Sequence, residues 1–321
     1  MTPLLEVSDL VKHFPLPSGF LGRSRGSVRA VDGLSFHVDP GETLSIVGES
    51  GCGKSTVGRA ILRLVEPTSG DLRFDGRSYV AATGADMKAI RRRLQVVFQD
   101  PYGSMNPRMR VRETIAEPLY NFGLAGNRAE TTEKVRDLLS RVGLPTDALT
   151  RYPHEFSGGQ RQRLSIARAL APGADLIICD EAVSALDVSV KAQIVNLLSD
   201  LQQQIGVALL FISHDLAIVE HLTHRVAVMY LGKIVELADR RDLFRAPRHP
   251  YTRALLSAVP APRLNARKER VVLKGDVPNP THPPAGCRFH TRCPLAFERC
   301  RTEEPLLRAV DGKHLAACHL D

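Results

Sequence analysis

The segment that most constrains this sequence is a glycine-rich loop that ends in a lysine and two hydroxyl residues. Its members are Gly48, Glu49, Ser50, Gly51, Cys52, Gly53, Lys54, Ser55 and Thr56. An apolar run over residues 43–47 precedes the loop, and a helical pattern begins at Val57, so we predict strand, loop and helix in that order. Glycines let the backbone wrap closely around an anion, and the loop N–H groups and the helix N-terminus then face it. The pattern therefore predicts a phosphate-binding loop, in which Lys54 holds the terminal phosphates and Ser55 binds Mg²⁺. An ordinary glycine-rich turn is the alternative, and the lysine and serine at its end disfavour it.

Composition excludes several classes of protein. The chain has 321 residues, 43% of them hydrophobic, which is enough for one large α/β domain and a smaller appendage. No apolar run approaches the ~20 residues that a membrane span requires. The N-terminus has no basic segment followed by an apolar one, so we expect no secretory signal and a cytoplasmic protein. The net charge of +8 is spread along the chain apart from residues 91–93, and there is no Trp, which disfavours nucleic-acid binding and fits proximity to a membrane surface.

Apolar segments that alternate with helical segments indicate a parallel sheet covered on both faces. We predict strands over residues 4–8, 34–38, 43–47, 71–74, 94–98, 176–179, 207–212, 226–229 and 233–236. We predict a loop over residues 15–27, a turn at 30–33 and helices over 130–142, 190–204, 240–244 and 251–258. Residues 100–171 have a helical pattern and are expected to form an insertion between sheet strands. Residues 260–286 are rich in proline and are predicted to be a linker.

Polar residues follow three of the predicted strands. Asp180 and Glu181 come directly after an apolar strand, and parallel sheets bind their ligands at the carboxyl ends of strands. We expect Asp180 to reach Mg²⁺ and Glu181 to act as general base on the attacking water. His214 ends the next strand and could contact the γ-phosphate. Gln99 ends another strand, and its amide could bind Mg²⁺ or the water. A capping role for the carboxylates and a structural role for the histidine are the alternatives.

A second anion site is predicted at Ser157, Gly158, Gly159 and Gln160. Two glycines open a helix here, and Ser157 is a plausible N-cap. One nucleotide does not need two remote helix N-termini from one subunit. If both sites contact ATP, the second belongs to a partner subunit.

Taken together, these motifs resemble those of an ABC-transporter ATPase subunit. The resemblance covers residues 4–240 and rests on the phosphate loop, Gln99, residues 157–160, Asp180 with Glu181, residues 184–187 and His214. It implies an α/β fold with a RecA-like core, an antiparallel β subdomain and a helical subdomain at about 100–171. It also implies that two subunits enclose two ATP molecules, that Asp187 lies at the dimer seam and that Phe14 stacks on adenine.

More narrowly, the chain is similar to the second ATPase subunit of dipeptide and oligopeptide importers. The similar segments are residues 97–107, 151–154 and 248–252, together with the proline-rich tail. The resemblance implies an ABC ATPase domain over 1–240, family-type helices and a linker over 241–286, and a cysteine module over 287–321. It implies a sister ATPase as partner, two transmembrane permeases contacted after Gln99, a periplasmic or lipid-anchored peptide-binding protein, and a place on the cytoplasmic face of the inner membrane. Ala182 departs from the family, which usually has proline there, so the placement of Glu181 is a point to examine.

Four of the six cysteines lie in the last 35 residues: Cys287, Cys293, Cys300 and Cys318. Clustering of this kind in a cytosolic protein suggests metal binding rather than disulfides. The gaps are wider than in most zinc sites, and by resemblance the tail holds a [4Fe-4S] cluster. Zinc and unliganded thiols are the alternatives. His290, His314 and His319 are nearby alternative ligands, each expected to be solvent-exposed.

Three other functions compete with peptide import. One is the same ATPase role for nickel, glutathione or an opine, because the ATPase does not touch cargo. Another is a soluble ABC ATPase acting on nucleic acid or ribosomes, which usually has two cassettes or a long coiled coil. The last is a regulatory subunit with an inactive site, which the presence of Lys54, Asp180, Glu181 and His214 disfavours.

Overall fold

The computed structural model describes residues 2–16, 26–259 and 273–320, and these fall into two compact units. The first unit is formed by Met1–Leu5, Val38–Thr43 and Arg73–Ser213, and the second by Glu6–His37, Leu44–Leu72 and His214–Asp321. The strands are β1 (Leu5–Pro15), β2 (Ser27–Val38), β3 (Thr43–Val47), β4 (Ser69–Phe74), β5 (Arg77–Ser78), β6 (Leu94–Val97), β7 (Leu176–Asp180), β8 (Ala208–Ser213), β9 (Arg225–Tyr230), β10 (Lys233–Asp239), β11 (Arg308–Asp311) and β12 (His314–Ala316). The helices are α1 (Lys54–Ile61), α2 (Gly84–Arg93), α3 (Val111–Asn121), α4 (Arg128–Arg141), α5 (Gly158–Leu170), α6 (Val188–Ile205), α7 (Leu216–Leu222), α8 (Arg240–Arg245), α9 (Pro250–Ser257) and α10 (Glu298–Thr302).

A parallel sheet of three strands forms the centre of the first unit. β7 pairs in parallel with β6 on one side and with β8 on the other. Every residue of β7 and of β8 is buried, which agrees with the near-continuous apolar sequence of these strands. The predicted parallel sheet is therefore confirmed here.

Helices α3, α4 and α5 form the helical insertion of the first unit. They contact one another through apolar residues at helical spacing, including Val135 and Leu139 of α4, which are fully buried. The helical character does not begin at residue 100 as predicted, since residues 98–110 form turns and α3 starts at Val111. Helix α2 was not predicted, because its polar surface and three terminal arginines obscure its apolar periodicity.

The second unit contains a mixed sheet that includes the phosphate-loop strand. β3 pairs in parallel with β9, and β9 pairs antiparallel with β10 across a turn at Leu231 and Gly232. Both turn residues have positive φ, 44° and 81°, as a tight hairpin turn requires. This hairpin agrees with the two strands predicted around Gly232.

The C-terminal tail extends the same sheet. β12 pairs antiparallel with β10, with Glu236 opposite Ala316, and β11 pairs with β12. The predicted exposure of His314 is wrong, because it is 5% exposed and hydrogen-bonds Glu236 at 2.7 Å. A polar tail pattern did not reveal this pairing, since the partner strand lies about 80 residues earlier in the sequence.

Strands β2, β1 and β4 form a second sheet in the order β2-β1-β4. In the first unit, Arg73 and Phe74 of β4 pair antiparallel with β5. The turn predicted at residues 30–33 is wrong, because these residues lie within β2. Residues 17–25 of the predicted loop and 260–272 of the predicted linker lie outside the described residues. None of the helices in the described ranges is long and apolar enough to cross a bilayer.

Candidate functional site

The phosphate loop lies between β3 and α1, as predicted. Lys54 is the first residue of α1 and is only 4% exposed. Its ammonium group donates hydrogen bonds to the carbonyl oxygens of Gly48 and Glu49, each at 2.9 Å. The backbone of the loop therefore wraps around the charged end of Lys54.

Two loop glycines are required by close backbone contacts. A Cβ atom at Gly53 would collide with the carbonyl oxygen of Ala30, and one at Gly48 would collide with that of Met229. Gly53 also has φ of 107°, which L-residues rarely adopt. The loop conformation thus depends on glycine at both positions.

Backbone and side-chain groups of the second unit hold the loop from behind. The N–H of Glu49 donates to the hydroxyl of Tyr251 at 2.9 Å, and the N–H of Gly232 donates to the carbonyl of Cys52 at 3.0 Å. Tyr251 is fully buried at the start of α9. This role of Tyr251 was not predicted, although residues 248–252 are among the segments that resemble peptide-importer ATPases.

Asp180 and Glu181 lie at the carboxyl end of β7, where the sequence predicted them. Asp180 is 6% exposed and is the last residue of the strand. Glu181 has φ of 49°, an uncommon conformation for a residue other than glycine. Its carbonyl accepts hydrogen bonds from the N–H and hydroxyl of Ser184 at 3.0 and 2.9 Å, and its N–H donates to Ile212 at 3.0 Å. These bonds fix a strained backbone, and such strain is frequent at functional positions.

His214 and Gln99 follow strands but do not lie within them. His214 comes directly after β8, is exposed, and lines a pocket of about 290 Å³ together with Leu255 and Ala258. Gln99 is exposed and stands two residues beyond β6, which ends earlier than the predicted strand over 94–98.

The second predicted anion site is a helix N-terminus, and the predicted N-cap is confirmed. The Ser157 hydroxyl accepts from the N–H of Gln160 at 3.3 Å, and the Gln160 amide oxygen accepts from the N–H of Ser157 at 3.0 Å. A Cβ atom at Gly159 would collide with Val190 of α6. Glycine therefore lets the start of α5 approach the start of α6, where Asp187 occupies the N-cap position.

Phe14 lies near the end of β1 and is 37% exposed. The ammonium group of Lys12 lies 4.9 Å from the centre of its ring. A half-exposed aromatic face with a neighbouring cation is compatible with stacking on a base.

The four tail cysteines are close enough to affect one another. Burial raises the pKa of the Cys287 thiol to about 11, and the charges of Cys300, Cys318 and Cys293 contribute in the same direction. The N–H of Cys287 also donates to the carbonyl of Cys300 at 2.8 Å. Across residues 2–16, 26–259 and 273–320, however, no group of three or more His, Cys, Asp or Glu side chains is arranged to hold a metal ion.

Two of the predicted alternative ligands are hydrogen-bonded elsewhere. His290 pairs through Nδ1 with the carbonyl of Cys287, and His319 pairs through Nε2 with the carbonyl of Glu303, both at 2.9 Å. With His314 on Glu236, all three histidines have partners other than a thiol-bound group.

Comparison with known proteins shows the class of protein to which this fold belongs. A model of the ABC transporter family matches residues 31–184. A solved dimeric ATP-binding cassette in a post-hydrolysis state, bound to ADP and Pi, has a TM-score of 0.65 and 25% identity, over 74% of this chain and 99% of the other. The cassette cbiO1 from Clostridium perfringens gives a TM-score of 0.66 at 24% identity, over 77% of this chain and 92% of the other. The fold is thus that of an ABC ATPase.

Sequence relatives narrow the class. The oligopeptide/dipeptide transporter C-terminal region matches residues 235–300. The chain is 51% identical over 320 residues to the oligopeptide transport ATP-binding protein AppF of Bacillus subtilis, covering 99% of this chain and 97% of that one. It is 54% identical over 317 residues to a probable peptide ABC transporter ATP-binding protein, y4tS, of Sinorhizobium fredii, covering 99% and 90%. The chain belongs to the family of ATP-binding proteins of peptide and oligopeptide ABC transporters.

Proposed function

We propose that this chain is the ATP-hydrolysing subunit of an ABC importer that takes up dipeptides or oligopeptides through partner permeases. The observation that carries this proposal is similarity over the whole chain to peptide-transport ATPases, including the C-terminal region that cassettes in general do not require. Cargo such as nickel, glutathione or an opine stays as the second candidate, because an ATPase subunit acts on ATP rather than on cargo.

Each site residue has a proposed role in hydrolysis. The loop Gly48–Thr56 and Lys54 would bind the ATP phosphates, and Ser55, Asp180 and Gln99 would hold Mg²⁺. Mg²⁺ supplies charge neutralisation on the phosphate oxygens. Glu181 would polarise the attacking water, and His214 would contact the γ-phosphate and hold the water in place. The backbone of Glu181 is strained and is fixed by hydrogen bonds at both its N–H and its carbonyl, which supports its role as general base. Proline would restrict the backbone of the preceding residue, and Ala182 does not, so the observed conformation of Glu181 is allowed.

We propose that two such ATPase subunits act together. Ser157, Gly158, Gly159 and Gln160 present an exposed or half-exposed helix N-terminus, which fits the phosphates of ATP held by a partner subunit. Val188 is 84% exposed beside Asp187, as expected for a residue that a partner covers. By resemblance, the partner is a sister ATPase rather than a second copy.

The segment after Gln99 is the proposed contact with the permeases. Tyr102 is 49% exposed, and the guanidinium of Arg161 lies 5.3 Å from its ring centre. Arg161 belongs to α5, the helix that begins with the second anion site. A displacement of α5 would therefore displace Arg161 against the Tyr102 ring. We therefore propose a peripheral position on the cytoplasmic face of the membrane, with a peptide-binding protein delivering cargo on the other side.

Hydrolysis is tested with Glu181→Gln in the purified full chain with its sister subunit. Nucleotide binding is expected to persist while ATP turnover falls by about 100-fold, the scale of removing a general base. Glu133→Gln, an exposed change on α4, is the matched control and should retain full turnover. Near wild-type turnover in Glu181→Gln would show that another residue is the base.

Cargo is tested by uptake in the source cell. Labelled dipeptide and pentapeptide are supplied to cells with wild-type protein or with Lys54→Ala. Loss of either uptake supports peptide import and gives the size class. Normal uptake of both removes peptide as the cargo and leaves the ATPase role intact.

We also propose that Cys287, Cys293, Cys300 and Cys318 hold a [4Fe-4S] cluster. Four mutually interacting thiols in one tail have the donor chemistry of such clusters. Among the described residues no three such side chains are arranged around a common metal ion, so the proposal rests on the donor chemistry of the four thiols and on the family resemblance. Iron analysis and visible absorbance of anaerobically purified protein test this, with Cys300→Ser expected to lose the signal and Cys179→Ala, in β7, to retain it. Stoichiometric zinc, or neither metal, would refute the cluster.

A further inference from the structure

An ion pair joins the cysteine tail to the phosphate loop. The guanidinium of Arg292 donates from both terminal nitrogens to both carboxylate oxygens of Glu49, at 2.7 and 3.1 Å. The Arg292 side chain is 8% exposed and that of Glu49 is 27% exposed. Hydrogen bonding to Glu49 raises the pKa of Arg292 above its usual value. A two-bond pair with one shielded partner is the strong form of this interaction.

The tail contacts the loop by a second route through an aromatic cluster. The Phe289 ring lies 5.4 Å from that of Tyr251 and 5.3 Å from that of Tyr230. Tyr251 is the residue whose hydroxyl accepts the hydrogen bond of the Glu49 N–H. The tail therefore holds both the side chain and, through Tyr251, the backbone of the same loop residue.

A third contact involves Arg288. Its guanidinium donates to the carbonyl of Leu231 at 2.6 Å and pairs with Asp32. Leu231 precedes Gly232, whose N–H donates to the carbonyl of Cys52 in the loop. Arg288 is 8% exposed, so this contact is also shielded from water.

The charge of Glu49 gives these contacts a consequence for binding. A carboxylate within a loop that receives phosphates repels them, and the repulsion is larger where water is partly excluded. Arg292 neutralises this carboxylate and fixes its position by two hydrogen bonds. Lys54 is the one basic residue in the sequence of residues 48–56, and the phosphates themselves require it.

We propose that Arg292 is a positioning residue for nucleotide binding, and that the cysteine tail supports the phosphate loop through it. Arg292 directly precedes Cys293, and Arg288 directly follows Cys287. A change in the conformation of the cysteine region would therefore move both arginines and their contacts with the loop and its support. Because coupling between sites is reciprocal, nucleotide in the loop also stabilises the tail. The inference rests on the proposed role of the loop Gly48–Thr56 in binding nucleotide.

The test measures ADP affinity of the full chain by calorimetry in the presence of Mg²⁺, because ADP occupies the loop without turnover. Arg292→Met removes the charge and both hydrogen bonds, and we expect ADP to bind about 10-fold more weakly. Arg292→Lys retains the charge and should show a smaller loss. Arg299→Met is the matched control, since Arg299 precedes Cys300 in the same tail and forms a two-bond pair with Glu303 at 2.6 and 2.7 Å. It should bind ADP as wild type does.

Equal ADP affinity in Arg292→Met and Arg299→Met would overturn the inference. Lys54→Ala distinguishes a failure of the proposed nucleotide-binding role of the loop from a failure of the proposed role of Arg292. If Lys54→Ala binds ADP normally, the role of the loop itself is wrong. If it loses binding while Arg292→Met does not, only the role of Arg292 fails. Should Arg292→Met not fold, hydrogen exchange of the wild type decides, since ADP must slow exchange in the peptide over residues 286–300. No slowing there would refute the coupling.

Discussion

Acid should destabilise this protein through His249 as the pH falls from about 6.5 towards 4. His249 is 1% exposed, and burial lowers its pKa from 6.5 to about 4. The neutral ring caps α9, because its Nδ1 accepts the N–H of Tyr251 at 3.1 Å, and it lies 5.6 Å from the Phe289 ring. A protonated ring could not accept that hydrogen bond.

The size of the effect follows from the pKa difference. The unfolded chain takes up a proton on His249 below pH 6.5, whereas the folded chain does so only near pH 4, so stability falls with pH between these values. A shift of about 2.5 units corresponds to about 3 kcal/mol lost across that window. Above pH 6.5 both states are neutral at this residue, and the contribution is fully present.

The assay is urea unfolding of the full chain followed by circular dichroism, at several pH values from about 7.5 to 4.5. His249→Asn is the comparison, because an Asn side chain can still cap α9 but does not ionise in this range. The lost ring contact with Phe289 lowers its stability by an amount that does not depend on pH. Wild type should therefore lose more stability than His249→Asn as pH falls, approaching a difference of about 3 kcal/mol. Parallel pH curves for the two proteins would refute the assignment.

Two further outcomes can be checked by simple measurements. Gly53→Ala should abolish ADP binding, because its Cβ would collide with the carbonyl of Ala30 at φ of 107°. Gly173→Ala shares the backbone strain of a positive φ, 75°, but its Cβ would meet no atom within 4 Å, so it should bind ADP normally; calorimetry distinguishes the two variants. Glu236→Gln should destabilise the tail by about 2 kcal/mol, since it weakens the buried hydrogen bonds that the carboxylate accepts from the N–H groups of Arg248 and His249 and forms with His314. Trypsin should then cleave within residues 273–320 sooner. Burial raises the pKa of Glu236, but its hydrogen bonds, led by that with His314, together outweigh burial and hold this pKa below its usual value. This contribution to stability is therefore present above pH 4.5 and is lost as pH falls through the lowered value.

Local sequence determined the elements that have a strong local signal. The phosphate loop, the apolar strands β7 and β8, the N-cap at Ser157 and the carboxylates after β7 were all readable, because each depends on residues within about ten positions of one another. Where the local sequence pattern was weak, the predicted secondary structure was wrong. Residues 30–33 look like a turn, yet they continue β2, since pairing with neighbouring strands outweighs the turn preference of Asp32 and Gly33.

Tertiary structure alone decided what supports the loop. Glu49 and Arg292 are 243 residues apart, and nothing in either neighbourhood marks them as partners. The same is true of Glu49 and Tyr251, and of Glu236 and His314, whose exposure was predicted wrongly. Sequence patterns report periodicity and turn chemistry over short distances, whereas these contacts join residues far apart in the chain, as where β12 pairs with β10 and places His314 beside Glu236. The sequence by itself therefore predicted which residues bind and hydrolyse a nucleotide, and the packing of the tail determined which residues contact the phosphate loop.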